Sequence, residues 1–209
     1  MAAAGATGDT TTPRCFGKRA TIVGAGPNDH YIAGTRGDDV IVVAATDTWV
    51  QGRGGADRIC GAGFGDELDG GRGRDRIKDG DVGRRGSTSD QLSGGAGRDI
   101  LRAGGFDRMG GGGGGDRLIG GKTSSIYGAD GNDLLKVEEG GSGLDGGRGN
   151  DILKGSERRD DLLAGGAGDD RLSAGAGDDF LDGGPDTDEC DGGEGVDTAQ
   201  TCEVLFSIP

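Results

Sequence analysis

The chain has 209 residues, of which 51 are glycine, and it carries a formal net charge of −14. Aromatic residues make up only 4% of it, and so little apolar surface with so much charge of one sign is typical of disordered chains. A collagen triple helix requires glycine at every third residue and abundant proline, whereas this sequence has four prolines and no three-residue period. The glycine therefore serves another repeat, or the chain is disordered.

The sequence repeats with a period of nine residues. Residues 94–102 (GGAGRDILR) give the clearest copy. With degenerate copies included, about nineteen units lie between residues 24 and 200. Other well-preserved copies are 70–78, 111–119, 146–154, 165–173, 174–182, 183–191 and 192–200.

Two positions of the unit keep their chemistry almost throughout. Position eight is apolar in Tyr31, Ile41, Val50, Ile59, Leu68, Ile77, Leu92, Leu101, Met109, Leu118, Leu135, Leu144, Leu153, Leu163, Leu172 and Leu181. Position six is aspartate in Asp29, Asp39, Asp57, Asp66, Asp75, Asp90, Asp99, Asp107, Asp116, Asp133, Asp151, Asp161, Asp170, Asp179, Asp188 and Asp197.

The pattern predicts an all-β fold, a parallel β-roll (a β-solenoid) with two nonapeptides per coil. Glycines at positions one, two and four permit a tight six-residue turn. The last three residues form a short strand, whose alternation points position eight inward and positions seven and nine outward. Coils stacked at ~4.8 Å would span roughly 45 Å around a column of position-eight side chains.

Stacking brings position-six aspartates of successive coils together, as in the pair Asp170 and Asp188. Carboxylates at that separation repel each other and raise each other's pKa. A hard dication resolves this conflict, because calcium accepts six to eight carboxylate and carbonyl oxygens. We therefore expect several calcium ions in the turns, each bound by aspartates of units i and i+2, and assign all sixteen aspartates as candidate ligands.

This repeat, G-G-x-G-x-D-x-U-x, resembles that of the RTX (haemolysin-type) calcium-binding proteins. The ends are similar to a group of secreted bacterial proteins of this type. Those open with Cys-x-Gly-x-x-Ala-Thr-Ile-x-Gly, here Cys15 to Gly24, and close with a motif found here at Cys190 to Glu203. The resemblance implies an extracellular protein that binds calcium, and in larger relatives the repeats serve secretion and assist attached domains.

The ends also suggest disulfides between Cys15 and Cys60 and between Cys190 and Cys202. Four cysteines in an acidic, glycine-rich chain agree with secretion. Zinc is the alternative, but it requires clustered ligands at short spacings, and His30 is the sole histidine. We expect a disordered tail at 1–14, one β-roll domain at 15–203 and a tail at 204–209.

Several units depart from the pattern. Thr48, Ser125 and Ser142 replace the aspartate of position six, residues 79–84 interrupt the period, and 103–110 is one residue short. Residues 52–122 contain thirteen basic against eleven acidic residues, whereas 160–209 contain only Arg171 against fourteen. We therefore expect stronger calcium sites toward the C-terminus. In the middle, the alternative role of an aspartate is to cap the backbone of its own turn.

Other functions have weaker support. With one histidine no catalytic triad is credible, and we expect no enzyme activity. Net charge argues against nucleic-acid binding, and no apolar run is long enough to span a membrane. No signal peptide is recognisable near Met1. The exposed Trp49 leaves a carbohydrate contact open. The alternative function is the repeat domain of a larger secreted enzyme, toxin or adhesin, and an ice-binding solenoid is more remote.

Overall fold

The computed structural model describes residues 12–24, 30–80, 89–122 and 124–208. In these residues the chain winds through alternating short strands that build two parallel sheets. Every strand of the roll pairs with the strand two places further along the chain, so one coil consists of two nonapeptides. The all-β, parallel β-roll expected from the period is confirmed.

Within the described residues, the first sheet contains ten strands. In chain order they are β4 (Tyr31–Ala33), β6 (Trp49–Gln51), β8 (Glu67–Arg72), β10 (Gln91–Ala96), β12 (Arg108–Gly113), β14 (Ser125–Asp130), β16 (Gly143–Arg148), β18 (Leu162–Ala167), β20 (Phe180–Asp182) and β22 (Thr198–Gln200).

The second sheet contains eleven strands of the described chain. They are β3 (Ile22–Val23), β5 (Val40–Val42), β7 (Arg58–Cys60), β9 (Arg76–Lys78), β11 (Ile100–Arg102), β13 (Arg117–Lys122), β15 (Leu134–Glu139), β17 (Ile152–Lys154), β19 (Arg171–Ala176), β21 (Glu189–Glu194) and β23 (Val204–Phe206).

The core is a single file of side chains between the two sheets. Position-eight residues such as Ile59, Leu68, Ile77 and Leu101 are fully buried, and each stacks on its counterpart one coil away. Their neighbours at positions seven and nine face outward, as the period-two alternation of a strand requires. The core is therefore continuous along the roll but narrow, and a second buried apolar residue joins it at position one in Val43, Ala103, Val137 and Ala174.

The first strand of the ten-stranded sheet corrects the predicted alignment. Ile32, which pairs with Val50, is the buried residue, whereas Tyr31 is exposed. His30 consequently stands at position six, where its carbonyl accepts the N–H of Trp49 at 2.9 Å. Asp29, predicted for that position, lies outside the described residues. The residue assigned to position eight of this unit was wrong because the unit was aligned by its polar residues, whereas core packing sets the register.

Both predicted disulfides are present. Cys15 pairs with Cys60 across a Cα–Cα distance of 5.7 Å, and Cys190 pairs with Cys202 across 6.0 Å. The first bond fastens an antiparallel hairpin, β1 (Arg14–Cys15) and β2 (Lys18–Arg19), to β7. The second lies at the opposite end, where Cys190 occupies a core position. The predicted C-terminal tail begins at Val204, and there the chain adds β23 to the edge of the eleven-stranded sheet.

Glycine permits the close approach of successive turns. Gly112, at position two, has a φ of +104°, and a Cβ there would collide with the backbone of Gly95 one coil earlier. Gly113, the next residue, has no neighbouring heavy atom within 4 Å of such a Cβ. The turn thus requires glycine at one of two adjacent residues and tolerates a side chain at the other.

This difference predicts opposite outcomes for two neighbouring substitutions. Gly112→Ala should lower the free energy of unfolding by about 2 kcal/mol, because left-handed backbone strain and a backbone collision add up. Gly113→Ala should change it by less than about 0.5 kcal/mol. Urea unfolding of both variants in calcium measures the difference. Equal destabilisation would contradict the stacking of these turns.

Candidate metal centre

The position-six side chains form two columns, one beside each sheet. The long aspartate column precedes the strands of the eleven-stranded sheet and is unbroken, whereas the interrupted column precedes those of the ten-stranded sheet. The long column contains Asp39, Asp57, Asp75, Asp99, Asp116, Asp133, Asp151, Asp170 and Asp188. The interrupted column contains Thr48, Asp66, Asp90, Asp107, Ser124, Ser142, Asp161, Asp179 and Asp197.

In every described column aspartate except Asp39, one carboxylate oxygen links successive coils. The backbone N–H of Asp57 donates to Oδ1 of Asp75 at 2.8 Å, and the N–H of Asp75 donates to Oδ1 of Asp99 at 2.7 Å. The same bond recurs along the column, including Asp170 to Asp188 at 2.8 Å. All fifteen predicted aspartates in the described residues are buried, with exposures of 6% or less. Stacking of aspartates two units apart is therefore confirmed.

The other oxygen divides the aspartates into two groups. In four of them Oδ2 accepts a hydrogen bond from the turn of its own unit, as from the backbone N–H of Ser156 to Asp161 at 2.6 Å. The other three of these capped aspartates are Asp39, Asp66 and Asp107. The capping role considered as an alternative thus applies to a minority of positions, which are not confined to the middle of the chain.

In the other eleven aspartates, Oδ2 is buried and has no hydrogen-bond partner among the described residues. A buried carboxylate oxygen without a partner is costly, so each of these open aspartates requires a counter-charge or a proton. They are Asp57, Asp75, Asp90, Asp99, Asp116, Asp133, Asp151, Asp170, Asp179, Asp188 and Asp197.

Eight of the eleven open oxygens face a small cradle in the turn, formed by a position-one glycine and a carbonyl oxygen of the next coil. A Cβ placed on Gly70 would lie 2.5 Å from Oδ2 of Asp75 and 2.7 Å from the carbonyl oxygen of Gly94 in the next coil. Glycine at position one therefore leaves space beside a carboxylate oxygen and a carbonyl oxygen of neighbouring coils. A hard cation prefers such oxygen ligands, so the donor set fits calcium.

Burial perturbs the titration of these side chains. It raises the pKa of Asp75 and Asp170 to about 6, and that of Asp99 and Asp151 to about 7. The hydrogen bond to Oδ1 opposes the shift, and the stacked carboxylates add to it. Mutual repulsion was the expected cause, and it contributes, but desolvation is the larger one. Without a cation, these groups favour the protonated form at mildly acidic pH.

The interrupted column lacks carboxylates over two coils. Ser124, not Ser125, occupies position six, since Ile126 is the buried strand residue. Ser125 was assigned wrongly because this unit is one residue shorter in its turn. The N–H of Ser124 donates to Oγ of Ser142 at 3.0 Å, which preserves the link between coils without charge. An open depression of about 550 Å³ lies beside these two serines and Asp161.

Asp79 is a buried carboxylate that the sequence analysis did not select. It stands at position one, where the neighbouring coil has Gly61, and its Oδ2 accepts the N–H of Gly104 at 2.7 Å. One carboxylate oxygen each from Asp79, Asp90 and Asp107 lies within 4.8 Å of the other two. The interruption at 79–84 was the available signal, since it places an acid where the repeat has glycine.

Among the described residues, no helix is long and apolar enough to cross a membrane.

Comparison with known proteins agrees with this geometry. A family model described as the RTX calcium-binding nonapeptide repeat matches residues 33–68, 86–118, 127–162, 157–189 and 164–199. These segments cover more than half of the chain and contain every open aspartate except Asp75. No curated protein matches the sequence. The chain belongs to the RTX calcium-binding nonapeptide repeat family.

Proposed function

We propose that this protein is secreted and that it folds into its roll when calcium neutralises the two columns. The observation that carries the proposal is the row of eleven buried carboxylate oxygens without a hydrogen-bond partner in the described chain. Membership of the family indicates calcium binding. The open oxygens give a physical reason why folding depends on calcium. So narrow a core offers little apolar burial to offset so many desolvated charges.

In this proposal, each ion lies in a turn between two successive coils. The open Oδ2 atoms of stacked aspartates provide charged ligands, and turn carbonyls bared by glycine provide neutral ones. Oδ1 remains engaged with the backbone of the preceding coil, so ion binding and strand pairing do not compete. Capped aspartates, whose Oδ2 is already bonded, are weaker ligands.

The two disulfides support an oxidising, extracellular location. Such bonds persist outside the cytosol, and they close the chain at Cys15–Cys60 and Cys190–Cys202, near the two ends of the roll. A protein folding after export meets calcium at millimolar concentration, and binding restricted to the folded state then shifts the equilibrium toward it. The binding of calcium thereby couples folding to export.

Circular dichroism in chelator and in calcium tests the proposal. The decalcified protein at neutral pH should be largely disordered, and millimolar calcium should produce a β spectrum. Magnesium should substitute poorly, because it resists dehydration and requires octahedral geometry. An unchanged β spectrum in excess chelator would show that the roll is stable without the ion.

The two columns predict that calcium affinity depends on which side chain is removed. Asp179→Ala and Ser142→Ala delete the same kind of link, since Asp179 accepts the N–H of Asp161 and Ser142 that of Ser124. Only Asp179 also supplies an open oxygen. Its loss should lower the affinity of one site about tenfold, equivalent to ~1.4 kcal/mol, whereas Ser142→Ala should leave calorimetric binding unchanged. Equal affinities in the two variants would contradict the assignment of ligands.

The raised pKa values predict a pH dependence of the metal-free protein. A carboxyl whose pKa is raised on folding stabilises the folded state below its unfolded value of 3.8, and this stabilisation is lost as pH rises through about 6 and 7. Decalcified protein should therefore gain β structure when acidified from about pH 8 to about pH 4. Calcium affinity should change in the opposite sense, because protons compete for Oδ2. Dichroism at fixed chelation measures the first effect, and β structure that increases with pH would contradict it.

A further inference from the structure

One outer face of the roll concentrates positive charge. On the five successive strands β9, β11, β13, β15 and β17, the outward positions seven and nine are ten described residues without a single acid. Four of them are aliphatic. The other six form the basic stripe: Arg76, Lys78, Arg102, Arg117, Lys136 and Lys154.

The positions of these cations destabilise the sheet, because some of them lie directly opposite one another. Lys78 lies directly opposite Arg102 in the strand register, and Lys136 lies directly opposite Lys154. Like charges in directly paired positions destabilise a sheet. The chain has 37 acidic residues that could alternate with these cations, yet the register puts none between them. Such an arrangement points to an anion outside the chain.

The opposite face shows that this pattern is not a property of the repeat. At the same two positions on β8, β10, β12, β14 and β16, Arg108 is the one cation, and it is accompanied by Glu67, Asp69 and Asp145. The repeat itself therefore tolerates acids at outward positions. Their absence is specific to this stretch of the eleven-stranded sheet, since Glu189 and Asp191 occupy the outward positions of β21.

Most of the stripe is available to a ligand. Within the described residues, Arg102 is its only member in an ion pair, with Glu138 at 3.1 Å, and both side chains are largely exposed. The ring of Phe16 lies against Arg76 and Lys78 and borders the stripe at one end. Beyond it, Arg117, Lys136 and Lys154 are exposed.

We propose that the basic stripe binds a linear anionic polysaccharide. Five parallel strands at ~4.8 Å spacing present the cations along roughly 19 Å of the sheet, which suits an extended chain with regularly spaced negative groups. The aliphatic side chains between them, such as Ile119 and Leu134, offer apolar contact to sugar rings. No aromatic side chain occupies the ten described positions, so the base stacking that single-stranded nucleic acids require is lacking.

A membrane surface fits this face less well. Peripheral binding requires apolar side chains that reach into the lipid, and the most exposed aliphatic residue here is Ile152 at 40%. The other three aliphatic side chains are half-buried. Charge without insertion favours a soluble polyanion.

The inference rests on the proposed function in one respect, because calcium should control the stripe. The cations align only when the strands are in register. Each column aspartate also precedes an outward residue directly, as Asp75 precedes Arg76. Calcium bound at these carboxylates would remove negative charge next to the stripe and strengthen its attraction for anions.

Binding of dextran sulfate, with uncharged dextran as the matched control, tests the proposal. In calcium, the protein should bind dextran sulfate but not dextran. Lys136→Gln with Lys154→Gln should weaken binding about tenfold, since each exposed charge contact contributes up to ~1 kcal/mol. This double variant should keep its calcium affinity and its thermal stability, because it relieves a like-charge pair. Arg72→Gln with Arg148→Gln, the same change of charge at exposed ends of strands in the other sheet, should bind as the unaltered protein does.

Three results would overturn the inference. The stripe variant could bind dextran sulfate as tightly as the turn variant. Stripe-dependent binding could be found only with phosphatidylglycerol vesicles or only with DNA. The unaltered protein could bind dextran and dextran sulfate alike. Failure of the proposed function is distinguishable, because the unaltered protein would then give the same dichroism and the same dextran sulfate binding in calcium and in chelator.

Discussion

Burial of one unpartnered carboxylate oxygen in most repeat units is the constraint on which the rest of the structure depends. The roll places eleven such oxygens out of reach of water, without a donor among the described residues. Desolvation, with a smaller contribution from the neighbouring carboxylates, raises the pKa of Asp99 and Asp151 to about 7. In the proposed function, cations that occupy the turns offset this cost, and the glycines that shape the turns leave both the space and the carbonyl oxygens that a hard cation requires.

The two oxygens of each aspartate have separate roles. Oδ1 accepts a backbone N–H from the previous coil and keeps the turns stacked, while Oδ2 stays open or is capped within its own turn. Serine can replace the first role but not the second, as Ser142 does beside Ser124. The roll can therefore pass through a coil without a charged ligand and remain in register. This explains how a repeat protein varies its ion sites without losing its fold.

The period made most of the fold predictable, because a strand fixes which residues face inward and the glycines fix where the chain turns. It also placed all fifteen described candidate aspartates in buried columns. The cysteines near the two ends paired as the resemblance implied. The errors lie where units lose or gain residues in a turn. Ser124 and Ile32 hold the positions assigned to Ser125 and Tyr31, because core packing sets the register and a shortened turn absorbs the missing residue.

Two features of the site could not be predicted from the repeat. Capping of Asp161 by Ser156 depends on how one irregular turn folds, and no spacing reveals it. Asp79 reaches Asp90 and Asp107 from a position where the pattern has glycine. The most direct test of the account is the anomalous scattering of calcium in crystals grown with the ion. It predicts peaks within about 2.6 Å of the open Oδ2 atoms of Asp116, Asp133 and Asp151, and a well-folded roll with only water at these oxygens would contradict it.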